Sequence, residues 1–260
     1  MMERPSFIRQ QKPIICAMVK GNTPDEYIKK IKSSIACGAE AIGAQLCRLK
    51  REYRSHAELR RIFDACEGLP IYVTSYRLNE SEGLTDEECA ELLLAALDAG
   101  ATMPDVMGDM FGRSPQYELA EAPEAIARQK ELIAEIHRRG GEVLMSSHTY
   151  KSTTLEENLM IARAQAERGA DIVKIVNRAE SIDEIPKYAE AIRQILKLPE
   201  MQGKKLLFLV SGSGQLIRYI GANLGVCMYL CVDEHGPMDT AEQPTIAQIR
   251  AIRDNIIFDR

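Results

Sequence analysis

The sequence predicts a (β/α)8 barrel, formed by a single domain over residues 1–260. Eight short apolar runs alternate along the chain with longer segments whose apolar residues recur at helical spacing. The length of 260 residues is close to the size of about 250 that is typical of this fold. Hydrophobic residues make up 45% of the chain but aromatic ones only 5%, with no Trp. Such an aliphatic core favours a parallel sheet covered by helices.

The predicted strands follow one another without an intervening linker. They are residues 14–18, 41–45, 71–75, 103–109, 143–147, 172–176, 206–210 and 226–232. The longer segments between them predict helices. The clearest are residues 25–36, 86–99, 122–139, 155–168 and 183–195.

Helix starts and ends carry marked local signals. The S/T-x-x-E capping box occurs at residues 23–26, 55–58, 85–88, 154–157 and 181–184. Glycine follows several helices, at Gly38, Gly100, Gly140 and Gly169. The alternative fold is an open doubly wound sheet, which usually has a Gly-rich turn after its first strand. Residues 17–21, Ala-Met-Val-Lys-Gly, do not form such a turn.

Composition excludes several classes of function. The net charge of −5 is unlike the basic footprint of a nucleic-acid-binding protein. The apolar runs are shorter than the roughly 20 residues that span a bilayer. The seven cysteines are odd in number and form neither a CxxC pair nor a Cys/His cluster. We therefore expect a cytoplasmic protein with reduced thiols, no metal site, and neither a nucleic-acid nor a membrane partner.

A lysine interrupts the sixth predicted strand. The two-residue period of a strand places Lys174 on one face with Ile172 and Val176. Desolvation disfavours the ammonium form, so an unpaired lysine there is freed to attack a carbonyl. The alternative is a side chain that reaches out to solvent, for which a central parallel strand leaves little room. We predict that Lys174 forms a Schiff base at the mouth of the barrel.

A histidine follows the fifth predicted strand. Because the fifth and sixth strands are neighbours in a barrel, His148 is expected beside Lys174. An imidazole there can transfer protons near neutral pH. The other histidines, His56, His137 and His235, are expected to be ordinary surface or core residues.

Two further strand ends carry charged or Gly-rich segments. Arg77 and Glu82 follow the third strand, where a guanidinium suits a carboxylate or hydroxyl and a carboxylate can orient a base. A solvated charged loop explains this pair equally well. Residues 211–218, from Ser211 to Arg218, open a helix after the seventh strand and predict an anion site. The alternative for that segment is a flexible loop.

These segments together resemble type I 3-dehydroquinate dehydratase, from residue 14 to the last helix. Residues 171–175, Asp-Ile-Val-Lys-Ile, resemble the Schiff-base segment of that family. Residues 146–150 are similar to its Ser-x-His-Asp-Phe segment. Residues 211–218, followed by Gly221, are similar to its Gly-x-x-Gly-x-x-Ser-Arg. Residues 77–83 resemble its Arg-x-x-x-Glu-Gly, with one additional residue.

The resemblance implies a cofactor-free dehydration carried out by a homodimer. Lys174 forms an imine with the ketone of 3-dehydroquinate, and His148 removes the α-proton and later helps to protonate the leaving hydroxyl. Glu82 helps to position His148, and Arg218 holds the substrate carboxylate. The other expected substrate-binding residues are Arg77, Ser211, Gln45 and Gln243.

Several positions depart from the family pattern. Gly43 and Gln45 stand where the family has Glu-x-Arg, and Arg48 substitutes for that arginine only if the strand end is rearranged. In the segment that resembles the family lid, Glu242 replaces the serine and Ile246 the glutamine, and Ile217 replaces the serine of the seventh-strand motif. A related cyclic β-hydroxyketone acid is therefore an alternative substrate. The alternative functions are a class I aldolase with residues 211–214 as phosphate cradle, or a non-catalytic metabolite-binding barrel.

Overall fold

The computed structural model describes residues 4–77, 83–237 and 239–256. Within these ranges, eight parallel strands alternate with helices along the chain. The strands are β1 Ile14–Val19, β2 Ala41–Gln45, β3 Ile71–Thr74, β4 Met103–Met107, β5 Leu144–His148, β6 Ile172–Ala179, β7 Lys205–Gly212 and β8 Met228–Cys231.

From β1 to β7, each strand pairs with the next strand in sequence, and β1 also pairs with β8. The described residues form no ladder between β7 and β8, but the Cys227 N–H donates to the Leu206 carbonyl across this gap, at 2.8 Å. The sheet is therefore a nearly closed barrel, which confirms the predicted fold. The alternative of an open doubly wound sheet is wrong, because its strand order reverses at a switch point and this order does not.

The helices surround the sheet. They are α1 Pro24–Ala36, α2 His56–Asp64, α3 Asp86–Asp98, α4 Pro123–Arg138, α5 Leu155–Glu167, α6 Ile185–Ile195, α7 Ile217–Ile220 and α8 Ile246–Arg253. No helix in the described part of the chain is long and apolar enough to cross a membrane.

The predicted capping boxes are complete at Thr85, Thr154 and Ser181. At Thr23 and Ser55 only the hydroxyl half forms. At the first of these, the Glu26 carboxylate accepts from the Asn22 N–H. The helix starts were thus predicted correctly even where the reciprocal hydrogen bond is absent.

The alternating sides of the strands separate the barrel interior from the layer under the helices. In β1, Ile14, Cys16 and Met18 pack with residues of the opposite strands, whereas Ile15 and Ala17 pack towards α1 and α2. The strand ends differ from the prediction: β4 stops at Met107, and β6 and β7 continue to Ala179 and Gly212 through an unbroken ladder. The carboxyl ends of all eight strands meet at one end of the barrel, where the loops enclose a cavity.

Candidate active site

The cavity at the carboxyl ends of the strands has a volume of about 460 Å³. The last residues of several strands line it: Gln45 of β2, Thr74 of β3, Met107 of β4 and His148 of β5. Its volume lies in the range of small-molecule clefts. This end of the barrel is also where enzymes of this fold place their active sites.

Lys174 lies in the middle of β6 and reaches the cavity with only 4% of its surface exposed. Its Nζ donates to Tyr76 Oη at 2.8 Å, to Tyr72 Oη at 3.0 Å and to Asp105 Oδ2 at 3.1 Å. These three acceptors match the three N–H donors of an ammonium group. The expectation of an unpaired lysine is therefore wrong, because Asp105 reaches Lys174 from β4.

Asp105 is fully buried, and its Oδ2 accepts hydrogen bonds from the hydroxyls of Tyr72 and Tyr76. Burial by itself would raise the pKa of Asp105, but Lys174 and the neighbouring hydroxyls outweigh burial and lower the pKa. Burial, with the charge of Asp105, raises the pKa values of Tyr72 and Tyr76 well above their ordinary value. Asp105 is thus a fixed negative charge beside the Lys174 nitrogen, and the tyrosines are neutral donors.

His148 lies at the end of β5, where the ladder pairs it with Val176 of β6. Its Nδ1 is 3.1 and 3.2 Å from the two carboxylate oxygens of Glu118, in the loop between β4 and α4. Its ring contacts Tyr76 edge-on, at 5.4 Å between centroids, and stacks on Tyr150 at 5.9 Å. Tyr76 therefore contacts both His148 and Lys174, and joins the two residues into one site.

The loop that carries Glu118 packs closely on the barrel. A Cβ at Gly108 would lie 2.4 Å from the Glu118 carbonyl oxygen and 2.9 Å from that of Ser146. The Ser147 hydroxyl also donates to the Glu118 carbonyl, at 3.0 Å. Only glycine at position 108 allows the two backbones to approach this closely.

Gly108→Ala is expected to destabilise the protein by about 1–3 kcal/mol, as overpacking does where backbone atoms cannot yield. Gly43→Ala is the matched control, because the atom it crowds is the flexible Met18 Sδ, at 2.2 Å from the added Cβ. We expect a smaller loss there. Urea unfolding measures both, and equal losses would contradict this explanation.

Arg77 lines the cavity, but protein groups hold its guanidinium. Nε donates to Asp86 Oδ1 at 2.5 Å, and Nη1 donates to Asp109 Oδ1 at 2.9 Å. Nη2 donates to the Asp109 carbonyl at 3.0 Å. Two carboxylates thus balance its charge, and its binding to substrate stays a prediction. Glu82, the predicted partner of His148 from the same segment, lies outside the described residues.

Arg218 lines the opposite side of the cavity, on α7, and is 9% exposed. Its Nε donates to the Val210 carbonyl at 3.0 Å. Among the described residues, its other two guanidinium nitrogens have no hydrogen-bond acceptor. Burial lowers the pKa of Arg218, which Glu242 partly offsets. This side therefore presents a buried cation to a ligand, with Ser211 and Gln243 also lining it.

In the Gly-rich loop after β7, two backbone N–H groups already have acceptors within the protein. The Gly212 N–H donates to Glu242 Oε1 at 3.2 Å, and the Ser213 N–H donates to the Ala179 carbonyl at 3.0 Å. Burial would raise the pKa of Glu242, but backbone hydrogen bonds and Arg218 lower it on balance. A charged carboxylate thus occupies the loop. Binding of a ligand anion by the loop backbone stays a prediction, and Arg218 itself faces the cavity.

At the end of β2, the space beside Gly43 is filled by neighbouring side chains. The Met18 side chain fills the interior beside Gly43, and the Tyr72 ring lies 3.2 Å from where a Cβ would stand. Gln45 lines the cavity, whereas Arg48 lies on the 3₁₀ turn Leu46–Arg48 and is not part of the cavity wall. Substitution for the family arginine by Arg48, which the sequence allowed only if the strand end is rearranged, stays untested. The wall beside β1 is formed by Met18 and by Lys20, which pairs with Asp239 at 3.4 Å.

The structure adds four residues that the sequence did not identify: Asp105, Tyr72, Tyr76 and Glu118. Asp105 interrupts an apolar run, residues 103–109, just as Lys174 interrupts residues 172–176. A charged residue inside an apolar run could therefore have identified Asp105 from the sequence. The tyrosines look like core aromatics in the sequence, and Glu118 stands in a loop without a motif.

The fold and the cavity together define a barrel enzyme whose site combines a buried lysine with a histidine at the end of the neighbouring strand. A family model described as type I 3-dehydroquinase matches residues 15–256. The chain therefore belongs to the type I 3-dehydroquinase family, which places it among the hydro-lyases.

Relatives of known name agree with this assignment. The chain is 24% identical over 251 residues to a 3-dehydroquinate dehydratase of Klebsiella pneumoniae subsp. pneumoniae, covering 93% of this chain and 92% of the relative. The structure of the 3-dehydroquinate dehydratase of Geobacillus kaustophilus HTA426 matches with a TM-score of 0.77 at 16% identity. The match covers 94% of this chain and 91% of that chain. The structure of the type I 3-dehydroquinate dehydratase of Clostridium difficile matches with a TM-score of 0.78 at 17% identity. The match covers 94% of this chain and 92% of that chain. At these identities the structural likeness shows the fold.

Proposed function

We propose that this protein dehydrates 3-dehydroquinate, or a closely related cyclic β-hydroxyketone acid, through an imine on Lys174. The observation that carries the proposal is the position of Lys174 in the cavity, one strand away from His148 and joined to it by Tyr76. Membership of the type I 3-dehydroquinase family supports the class of reaction.

In the first stage the Lys174 ammonium gives up one proton, and the resulting amine attacks the substrate ketone. The carbinolamine takes a proton back as it loses water, which leaves an iminium ion. A preorganised carboxylate beside a developing positive charge stabilises it without reorganisation. Asp105 is so placed, since its Oδ2 is 3.1 Å from Nζ and is shielded from solvent.

In the second stage His148 removes the proton from the carbon next to the iminium, which becomes an enamine. The β-hydroxyl then leaves as water and takes the proton from the imidazolium, so His148 is restored. Hydrolysis of the remaining imine releases the enone and frees Lys174. The water consumed in hydrolysis balances the water lost in imine formation, and the net change is the loss of one water.

We assign the substrate carboxylate to Arg218. Arg218→Met is expected to raise KM by about 10–100-fold with a smaller change in kcat, because a charge-assisted hydrogen bond contributes about 1.5–3 kcal/mol. Steady-state kinetics measure the change, and Arg178→Met is a matched control because Arg178 is exposed at the same end of the barrel. An unchanged KM in Arg218→Met would contradict the assignment.

The sugar-phosphate aldolase is the less supported alternative. Its phosphate would require the backbone of residues 211–214, where Glu242 already accepts the Gly212 N–H. Nor does any observation favour the non-catalytic barrel.

The experiment that tests the proposal is an assay of the purified protein on 3-dehydroquinate that follows the absorbance of the enone. We expect the enone to appear and inorganic phosphate not to compete with the substrate. Cleavage of a sugar phosphate, or no turnover of 3-dehydroquinate or any related β-hydroxyketone acid, would contradict the proposal.

The family resemblance also supports a homodimer, and the composition supports a cytoplasmic location. Both stay predictions, for sedimentation equilibrium and cell fractionation to test.

A further inference from the structure

We infer that Glu118 is the positioning residue of His148: it holds the proton on Nδ1 and leaves Nε2 as the atom that exchanges protons with the substrate. This inference rests on the proposed function, because it says which imidazole nitrogen performs the transfer. It also assigns to the loop between β4 and α4 a role that the sequence resemblance gives to Glu82.

The contact that carries the inference is direct. Both carboxylate oxygens of Glu118 lie within hydrogen-bond distance of Nδ1, at 3.1 and 3.2 Å. A carboxylate is only an acceptor when ionised, so Nδ1 must be the protonated nitrogen of a neutral imidazole. In the described part of the chain, Nε2 has no hydrogen-bond partner. The stacking ring of Tyr150 and the edge contact with Tyr76 fix the plane of the imidazole.

Glu118 is itself held in an unusual conformation, with a φ of +47°. Its N–H donates to the Ser114 carbonyl at 3.0 Å, and its carbonyl accepts from the Ser147 hydroxyl at 3.0 Å. Because Ser147 directly precedes His148 on β5, one short connection links the backbone of Glu118 to the strand that carries the histidine. The carboxylate is therefore fixed relative to the ring that it contacts.

The buried guanidinium of Arg168 holds the loop between β4 and α4 through hydrogen bonds to its backbone. Arg168, after the end of α5, is 7% exposed and donates to the carbonyls of Gly108 at 2.9 Å and Ala120 at 2.5 Å. It also donates to Gln129 Oε1, and Gln129 Nε2 donates to the backbone carbonyls of Gly108 and Met110. The Ala120 N–H donates to Gly108 at 2.9 Å. Both ends of the loop that carries Glu118 are thus fastened to α4 and α5.

The contact between Glu118 and His148 is expected to act as in other histidine–carboxylate pairs. A carboxylate at one nitrogen selects the tautomer and stabilises the imidazolium that forms when the other nitrogen accepts a proton. Here Nε2 would take the α-proton of the iminium and return it to the departing hydroxyl. Glu118 keeps its charge throughout and does not transfer a proton.

The first test is spectroscopic and needs no substrate. ¹⁵N spectra of histidine-labelled protein, at a pH where the imidazole is neutral, report which nitrogen of His148 carries hydrogen, and His148→Asn assigns the signal. We expect Nδ1–H in the unaltered protein and a shift towards Nε2–H in Glu118→Ala. An Nε2–H tautomer in the unaltered protein, or no change in Glu118→Ala, would overturn the inference. This result does not depend on turnover, so it is separable from a failure of the proposed function.

The second test is kinetic. Glu118→Gln is expected to lower kcat by up to about 10²–10⁴-fold, the range that general acid–base catalysis contributes, and to leave KM nearly unchanged. Borohydride trapping on Lys174 should persist, because imine formation does not use His148. Glu121→Gln is the matched control: Glu121 is exposed on the same loop, so we expect full activity. An unchanged kcat in Glu118→Gln, or loss of trapping together with kcat, would contradict the inference.

Discussion

Lys174→Met is expected to lower kcat by at least about 10⁴-fold, the scale of losing a covalent nucleophile. The same substitution is expected to destabilise the protein by about 3–5 kcal/mol, because it leaves a buried carboxylate without its cation. That carboxylate is Asp105, which has no solvent exposure and cannot recover the lost interaction from water. The loss of activity is measured by the enone assay, and the loss of stability by urea unfolding.

Two further variants separate the chemical effect from the structural one. Lys174→Arg keeps a cation near Asp105 but cannot form an imine, so we expect a folded and inactive protein. The double variant Lys174→Met/Asp105→Asn removes the stranded charge and should regain most of the stability without regaining activity. Activity in Lys174→Arg would contradict the role given to Lys174.

His148→Asn is the second substitution with a large expected effect. It removes the proton acceptor of the second stage, and general acid–base catalysis contributes about 10²–10⁴-fold in rate. We expect kcat to fall by that factor while the imine on Lys174 still forms. Deuterium exchange at the α-carbon of the substrate, measured by NMR, should be lost in the same variant.

His137→Asn is the matched control for that experiment. His137 lies on the outer face of α4 and pairs with Asp171 at 2.8 Å, away from the cavity. Its replacement should leave both turnover and deuterium exchange unchanged. If His148→Asn behaved like His137→Asn, His148 could not be the base.

The fold was predictable because short stretches of sequence indicate its elements, through the spacing of apolar residues and the helix caps. Thr85 and Thr154 form the hydrogen bonds of their capping boxes with residues only three positions along the chain. Strand ends were less predictable. The extension of β6 to Ala179 depends on pairing with β7, which a sequence pattern does not record.

The site was predictable only in part. Lys174 and His148 could be found because a charge inside an apolar strand and a histidine at a strand end are both local signals. The partner of each residue comes from another strand or loop. Asp105 is 69 positions from Lys174, and Glu118 is 30 positions from His148. No local pattern shows which distant carboxylate contacts the lysine and which contacts the histidine.

In the Gly-rich segment a local motif is present, but distant contacts determine what its backbone binds. Residues 211–214 have the composition of an anion-binding loop, and composition cannot show that the Glu242 carboxylate returns to accept the Gly212 N–H. At Gly43 the sequence shows a missing charge, but only packing shows that Met18 fills the space. In both cases tertiary contacts decided what the motif alone left open.

Chemical trapping is the most direct test of an imine on Lys174. The protein is incubated with 3-dehydroquinate and sodium borohydride, digested, and analysed by mass spectrometry. We predict a stable adduct with the mass of the reduced product on the peptide that contains Lys174, and no adduct in Lys174→Arg. Turnover of 3-dehydroquinate without any adduct, or an adduct on another lysine, would contradict the claim.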